Sequence, residues 1–158
     1  MHRSFLAFLL ACATVLPLIP AQAADFVVVT YVGGTPDDNL DYLPGSDNLG
    51  IPAIIPAGST LSYRNLNTGL PHDLVSVTCV QPDGTRLADD YSIGGPCPGD
   101  ATRLFASETP PGGALLDRVA PVEGVSSLAP GEYTFYCSVH PGDGPTPGPM
   151  VGRLVVVG

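Results

Sequence analysis

The sequence predicts an all-β domain, a sandwich or a barrel, and three observations predict it. Short runs rich in Val, Ile, Thr, Tyr and Phe recur, several of them with a two-residue period. Clusters of Gly, Pro, Asn and Asp separate these runs. Sustained helical periodicity is absent. With 19 glycines and 18 prolines in 158 residues, turns are too frequent for long helices, and the length suits one domain.

The start of the chain stands apart from this pattern. Met1-His2-Arg3 is a short basic opening, residues 5–19 form an almost unbroken apolar run, and Ala21-Gln22-Ala23 gives the small-x-small pattern of a signal-peptidase site. A secretory leader over 1–23 is therefore expected, with one domain of 158 − 23 = 135 residues over 24–158. The apolar run is short for a membrane span. An uncleaved anchor is one alternative. A lipoprotein box at Leu9-Leu10-Ala11-Cys12 is another, and it fits poorly because the apolar run continues past Cys12.

Beyond the leader, residues 26–32 read as the first strand and 33–50 as a polar loop. Pro56-Ala57-Gly58 is a turn into a strand over 59–65, where Leu61 and Tyr63 share a face. Residues 74–80 form another strand, with Val75, Val77 and Cys79 on one face, and Gln81-Pro82-Asp83-Gly84 turns it back. Strand-like pieces at 102–106 and 115–119 lie between Pro/Gly loops. A turn over 129–132 leads into 133–137, where Tyr133, Phe135 and Cys137 share a face. Residues 151–157 close the chain as a strand.

Charge narrows the partners. The whole chain carries −9, with no lysine; after the leader the balance is 5 − 15 = −10. Such a surface repels nucleic acid and anionic lipid and attracts a basic protein. No second apolar run long enough to span a membrane follows the leader. The expected product is exported, periplasmic or extracellular, soluble and monomeric.

Export sets the cysteines in an oxidising compartment. Cys12 leaves with the leader, so Cys79, Cys97 and Cys137 remain, an odd number. Cys79 and Cys97 bracket a turn-rich segment that suits a local disulfide, worth ~3 kcal/mol on a chain-entropy estimate. Cys137 is then a lone thiol that needs an explanation. Only two histidines, His72 and His140, and one methionine, Met150, follow the leader. Singly, each has a bland reading: a surface histidine, a methionine filling the core, a cysteine packed as a small hydrophobe. Together, they form a thiolate, two imidazoles and a weak thioether, the donor set of a type 1 (blue) copper centre. Soft sulfur favours Cu(I) and imidazole tolerates Cu(II), so a rigid scaffold between those preferences suits single-electron transfer. The set has no open coordination position for substrate chemistry.

The segments that carry these residues resemble the cupredoxins, above all the plastocyanin and pseudoazurin-like group. Thr68-Gly69-Leu70-Pro71-His72-Asp73 resembles the first-histidine turn, and the strand before it runs from Pro56 to Asn65. Pro130-Gly131-Glu132-Tyr133-Thr134-Phe135-Tyr136-Cys137-Ser138-Val139-His140 resembles the segment bearing the cysteine and second histidine. Met150-Val151-Gly152-Arg153-Leu154-Val155-Val156-Val157 is similar to the axial methionine and last strand. The resemblance implies a Greek-key β-sandwich with one copper near one end. It also implies that electrons leave by the exposed edge of His140, inside a small apolar patch of Leu70, Pro71, Val139, Pro141 and Pro149. Partners of that role are c-type cytochromes or a copper or haem reductase or oxidase.

Three departures stand out. Nine residues, 141–149, separate His140 from Met150, where the family usually has four. Asp73 replaces the family's usual asparagine, whose amide ties this turn to the residue after the cysteine, here Ser138. Residues 80–123 form a longer region than in a minimal plastocyanin. Competing readings are a copper enzyme, a copper carrier or storage protein, and a module of this fold without a redox role. The first needs further histidines and the second needs clusters of exposed Met and His, and the sequence has neither.

Overall fold

The structure, a computed structural model, describes residues 22–32, 40–46, 50–67, 71–87, 97–108, 119–139 and 150–158. Of the leader expected over 1–23, only Gln22 and Ala23 fall among them. The strands are β1 (Asp25–Val32), β2 (Leu40–Leu43), β3 (Ala53–Pro56), β4 (Thr60–Arg64), β5 (Val75–Ser76), β6 (Cys79–Val80), β7 (Thr102–Arg103), β8 (Ala106–Ser107), β9 (Val119–Glu123), β10 (Gly131–Tyr136) and β11 (Val151–Val157). A single 3₁₀ turn, Val125–Ser127, is the helical element among the described residues.

Nine strands run in the order β2-β1-β4-β9-β8-β5-β10-β11-β3, and β6 pairs with β7 as a separate hairpin. Most neighbours are antiparallel, but β1 lies parallel to β4 and β11 parallel to β3. These long connections give the Greek-key character. The sheet rolls over until its far parts meet: Ser46, just beyond β2, bridges to Gly152 in β11. The result is the all-β sandwich the sequence predicts, closed like a barrel.

Alternation along the strands fills the interior. Leu61 and Tyr63 of β4, Ala120 and Val122 of β9, and Leu154 and Val156 of β11 are buried, with more exposed neighbours between them. Tyr42 meets Phe135 edge-to-face at 4.8 Å between centroids, and Tyr63 meets Tyr42 at 6.0 Å. Gly152 opposes Phe135 in the β10/β11 register. A Cβ at Gly152 would come within 2.4 Å of that ring, so glycine here makes room for the aromatic centre of the core.

Three sequence expectations change. The loop expected over 33–50 contains β2, and β3 precedes the expected turn at Pro56. The strand expected over 74–80 is interrupted. Val75, Val77 and Cys79 are buried, but so is Ser76, whose hydroxyl donates to Thr78 O at 3.0 Å and accepts from Phe105 N at 3.2 Å. A side chain bonded to its own main chain competes with the ladder, and the strand breaks into β5 and β6. Residues 102–106 divide similarly into β7 and β8. Of the piece expected over 115–119, Val119 alone is described, as the start of β9.

Candidate metal centre

The register of β10 and β11 builds the base of the site. Tyr136 pairs with Val151, so Cys137 and Met150 are the next opposed pair. Cys137 N donates to Met150 O at 3.1 Å. Opposed residues on an antiparallel pair turn their side chains to the same face, and both join the main core cluster, Cys137 at 0% exposure and Met150 at 4%. Whatever its length, the connection between them begins and ends at one point. With nine residues between His140 and Met150, Cys137 and Met150 are still paired at the main chain.

His72 comes from the segment between β4 and β5 and is 0% exposed. Its Nδ1 lies 3.5 Å from Cys137 Sγ. Bonds of about 2.0 Å to imidazole nitrogen and about 2.3 Å to thiolate sulfur, at a tetrahedral angle, set the two donors about 3.5 Å apart. The donors thus fit one metal ion between them; the same separation also accommodates an N–H donated to sulfur. Of the predicted ligand set, the structure brings His72, Cys137 and Met150 to this end of the sandwich. His140 lies outside the described residues.

Asp73 ties the segment carrying His72 to the one carrying Cys137. Its Oδ1 accepts from Ser138 N at 2.7 Å and its Oδ2 from Ser138 Oγ at 2.5 Å. An aspartate in place of the family's asparagine works here because Ser138 supplies both donors and the carboxylate needs only to accept. The main-chain oxygen of Asp73 accepts from Tyr42 OH at 2.6 Å. Leu74 N donates to Ser107 Oγ at 3.0 Å. Burial pushes the Tyr42 phenol well above its usual value, with Cys137, Tyr63, Asp73 and Asp41 adding to the shift. Tyr42 therefore stays a proton donor.

Sequence reasoning did not identify Tyr42 or Asn67, whose side-chain amide lies 2.9 Å from His72 Nε2. Tyr42 lies in a strand not read from the sequence; Asn67 lies five residues before His72, and no periodicity distinguishes it. Beside the site, Arg103 of β7 donates to Tyr136 OH and to Ser76 O at 3.3 Å, and its guanidinium sits 5.2 Å over the Tyr136 ring. A Cys79–Cys97 disulfide closes this hairpin region. Of the apolar patch expected round His140, Pro71 and Val139 are described, both half-buried; Leu70, Pro141 and Pro149 lie outside the described residues.

No family model matches the chain. In sequence it is similar to Plastocyanin B, chloroplastic, of Populus nigra, at 28% identity over 134 residues, covering 85% of this chain and 62% of that protein. The chain thus spans less than two thirds of that relative's length. It is also similar to a plastocyanin of Mercurialis perennis, at 29% identity over 123 residues, covering 78% of this chain and 94% of the relative. In fold it resembles auracyanin A, a "blue" copper protein of Chloroflexus aurantiacus, with a TM-score of 0.50 at 18% identity, covering 84% of this chain and 98% of the other.

Proposed function

We propose that this chain, a cupredoxin by fold and similar in sequence to plastocyanins, carries single electrons through one type 1 copper held by His72, Cys137, His140 and Met150. The observation that carries the reading is the pair of wholly buried donors, His72 Nδ1 and Cys137 Sγ, 3.5 Å apart.

Copper, when bound, supplies the one-electron couple between Cu(I) and Cu(II). The residues of this chain keep the surroundings fixed. Cys137 is anchored by its main-chain bond to Met150 and by the Asp73–Ser138 contact beside it. His72 is held in the core with Asp73 locked next to it. A donor set that cannot relax adapts to neither oxidation state, and so little rearrangement accompanies a change of charge. Burial of the sulfur and of the first imidazole excludes water, leaving His140 as the proposed route for electrons. The role is that of a carrier rather than an enzyme, since this set leaves no position for substrate. Export to the periplasm or beyond after removal of residues 1–23, and partners such as c-type cytochromes or a copper or haem reductase or oxidase, belong to the same proposal.

The test is addition of Cu(II) to purified, metal-free protein. One equivalent should produce an intense blue or green colour that ascorbate bleaches, and Cys137→Ser should abolish it, because the band needs copper bonded to thiolate. Full colour in the serine variant, or tight binding of two coppers, would sink the assignment.

A further inference from the structure

We propose that Asn67 is a positioning residue for this centre, fixing the proton and the rotation of the His72 ring from its far side. The proposal rests on the reading of His72 as a ligand. The ring is wholly buried, with Nδ1 turned to Cys137 Sγ at 3.5 Å and Nε2 at 2.9 Å from the Asn67 amide nitrogen, Nδ2. Asn67 is itself braced: its main-chain N–H donates to Asn65 Oδ1 at 2.9 Å, and Asn65 is buried. The segment leaving β4 thus uses one asparagine to hold the turn and aims the next at the ring.

A neutral imidazole has one N–H and one lone pair. To bind a metal through Nδ1, His72 must keep its proton on Nε2, and a buried N–H without an acceptor is costly. Turned over so that its oxygen takes the place of Nδ2, the Asn67 amide supplies that acceptor. In the metal-free protein the opposite tautomer donates from Nδ1 to the Cys137 sulfur, and Nε2 accepts from the amide NH₂. Half a turn of the amide exchanges its oxygen and nitrogen, so one residue serves both states. Aspartate could only accept, and leucine could do neither.

The experiment compares the wild type, Asn67→Leu, Asn67→Asp and His72→Gln as full-length chains. Cu(I) affinity is measured by competition with a chelator, and the protonated ring nitrogen of residue 72 is read by ¹⁵N NMR of the Cu(I) form. Asn67→Leu should weaken copper binding by about 10–100-fold, the usual cost of losing the partner of a metal-bound histidine, and speed exchange of the Nε2 proton with water. Asn67→Asp should restore both. Wild-type affinity and unchanged Nε2–H protection in Asn67→Leu would overturn the proposal. If Asn67→Leu does not fold, Asn67→Asp decides: its Cu(I) form should carry the His72 proton on Nε2, and a proton on Nδ1 would overturn the idea. His72→Gln separates the two levels. Unchanged copper affinity in that variant would refute the ligand reading itself, whereas loss there with no effect in Asn67→Leu would refute only the role of Asn67.

Discussion

Asp73 joins the segment carrying His72 to the one carrying Cys137, and it does so by accepting alone. Asp73→Asn keeps an acceptor for Ser138 N–H and should fold with little loss. Asp73→Ala leaves that donor without its acceptor and should cost about 1–3 kcal/mol in denaturant unfolding. Equal losses in the two variants would mean that the carboxylate matters for charge and not for its bonds. Tyr42, on the other side of Asp73, gives a pH prediction. Its raised folded value means that the neutral phenol is favoured in the native state. Its contribution to stability is therefore full below the unfolded value of 10.0 and declines above it, as the unfolded chain ionises first. Tyr42→Phe should flatten the alkaline limb of the stability curve between pH 10 and the unfolding point. Met150→Leu should leave copper bound but raise its reduction potential, because loss of a thioether donor disfavours Cu(II) more than Cu(I). An unchanged potential and spectrum would remove Met150 from the proposed ligand set.

The β10/β11 pair is the element on which the proposed centre depends. Its register sets Gly152 against Phe135 and Cys137 next to Met150. Gly152→Ala would force a Cβ into the ring and to 2.6 Å from Gly45 O. Overpacking of this kind costs typically about 1–3 kcal/mol, and the loss should appear in stability and in copper affinity together, since both depend on the one ladder. The β6/β7 hairpin is separable by comparison. Replacing Cys79 and Cys97 together by serine should lower stability by ~3 kcal/mol yet leave the copper spectrum in place, because the hairpin reaches the site region through Arg103 on Tyr136, which is not one of the proposed donors. A changed spectrum would mean that the hairpin shapes the site through Tyr136.

At the scale of the whole molecule, charge of −9 on 158 residues acts over distance rather than at the site. Transfer to a basic redox partner should slow as salt rises, most steeply up to ~0.1 M, where the Debye length is about 10 Å. A rate independent of salt would mean that the charge serves solubility only. Among the described residues no helix is long and apolar enough to cross a membrane.

What the sequence determined by itself is the β class and the approximate positions of β1, β4, β10 and β11; it also marks His72, Cys137, His140 and Met150 as a chemically compatible set, which is the proposal made above. Two-residue alternation marks a strand with one face in the core, and few histidines and methionines make a compatible set conspicuous. It could not determine β2, whose four residues lie in a polar stretch, nor the break between β5 and β6, which arises from hydrogen bonds of the Ser76 hydroxyl to the main chain on both sides. The resemblance already implied that residue 73 would meet Ser138; tertiary structure alone decided that both contacts would be accepted by a carboxylate, that Tyr42 would cap Asp73, and that Asn67 would face the far nitrogen of His72. Asp73 and Tyr42 reach their partners from 65 and 31 residues away, and no local pattern records which distant strands a rolled sheet will bring side by side. Asn67 is close in sequence to its partner, yet the spacing of five gives no signal in an irregular segment. Only burial of the ring and the bracing by Asn65 turn that nearness into a contact.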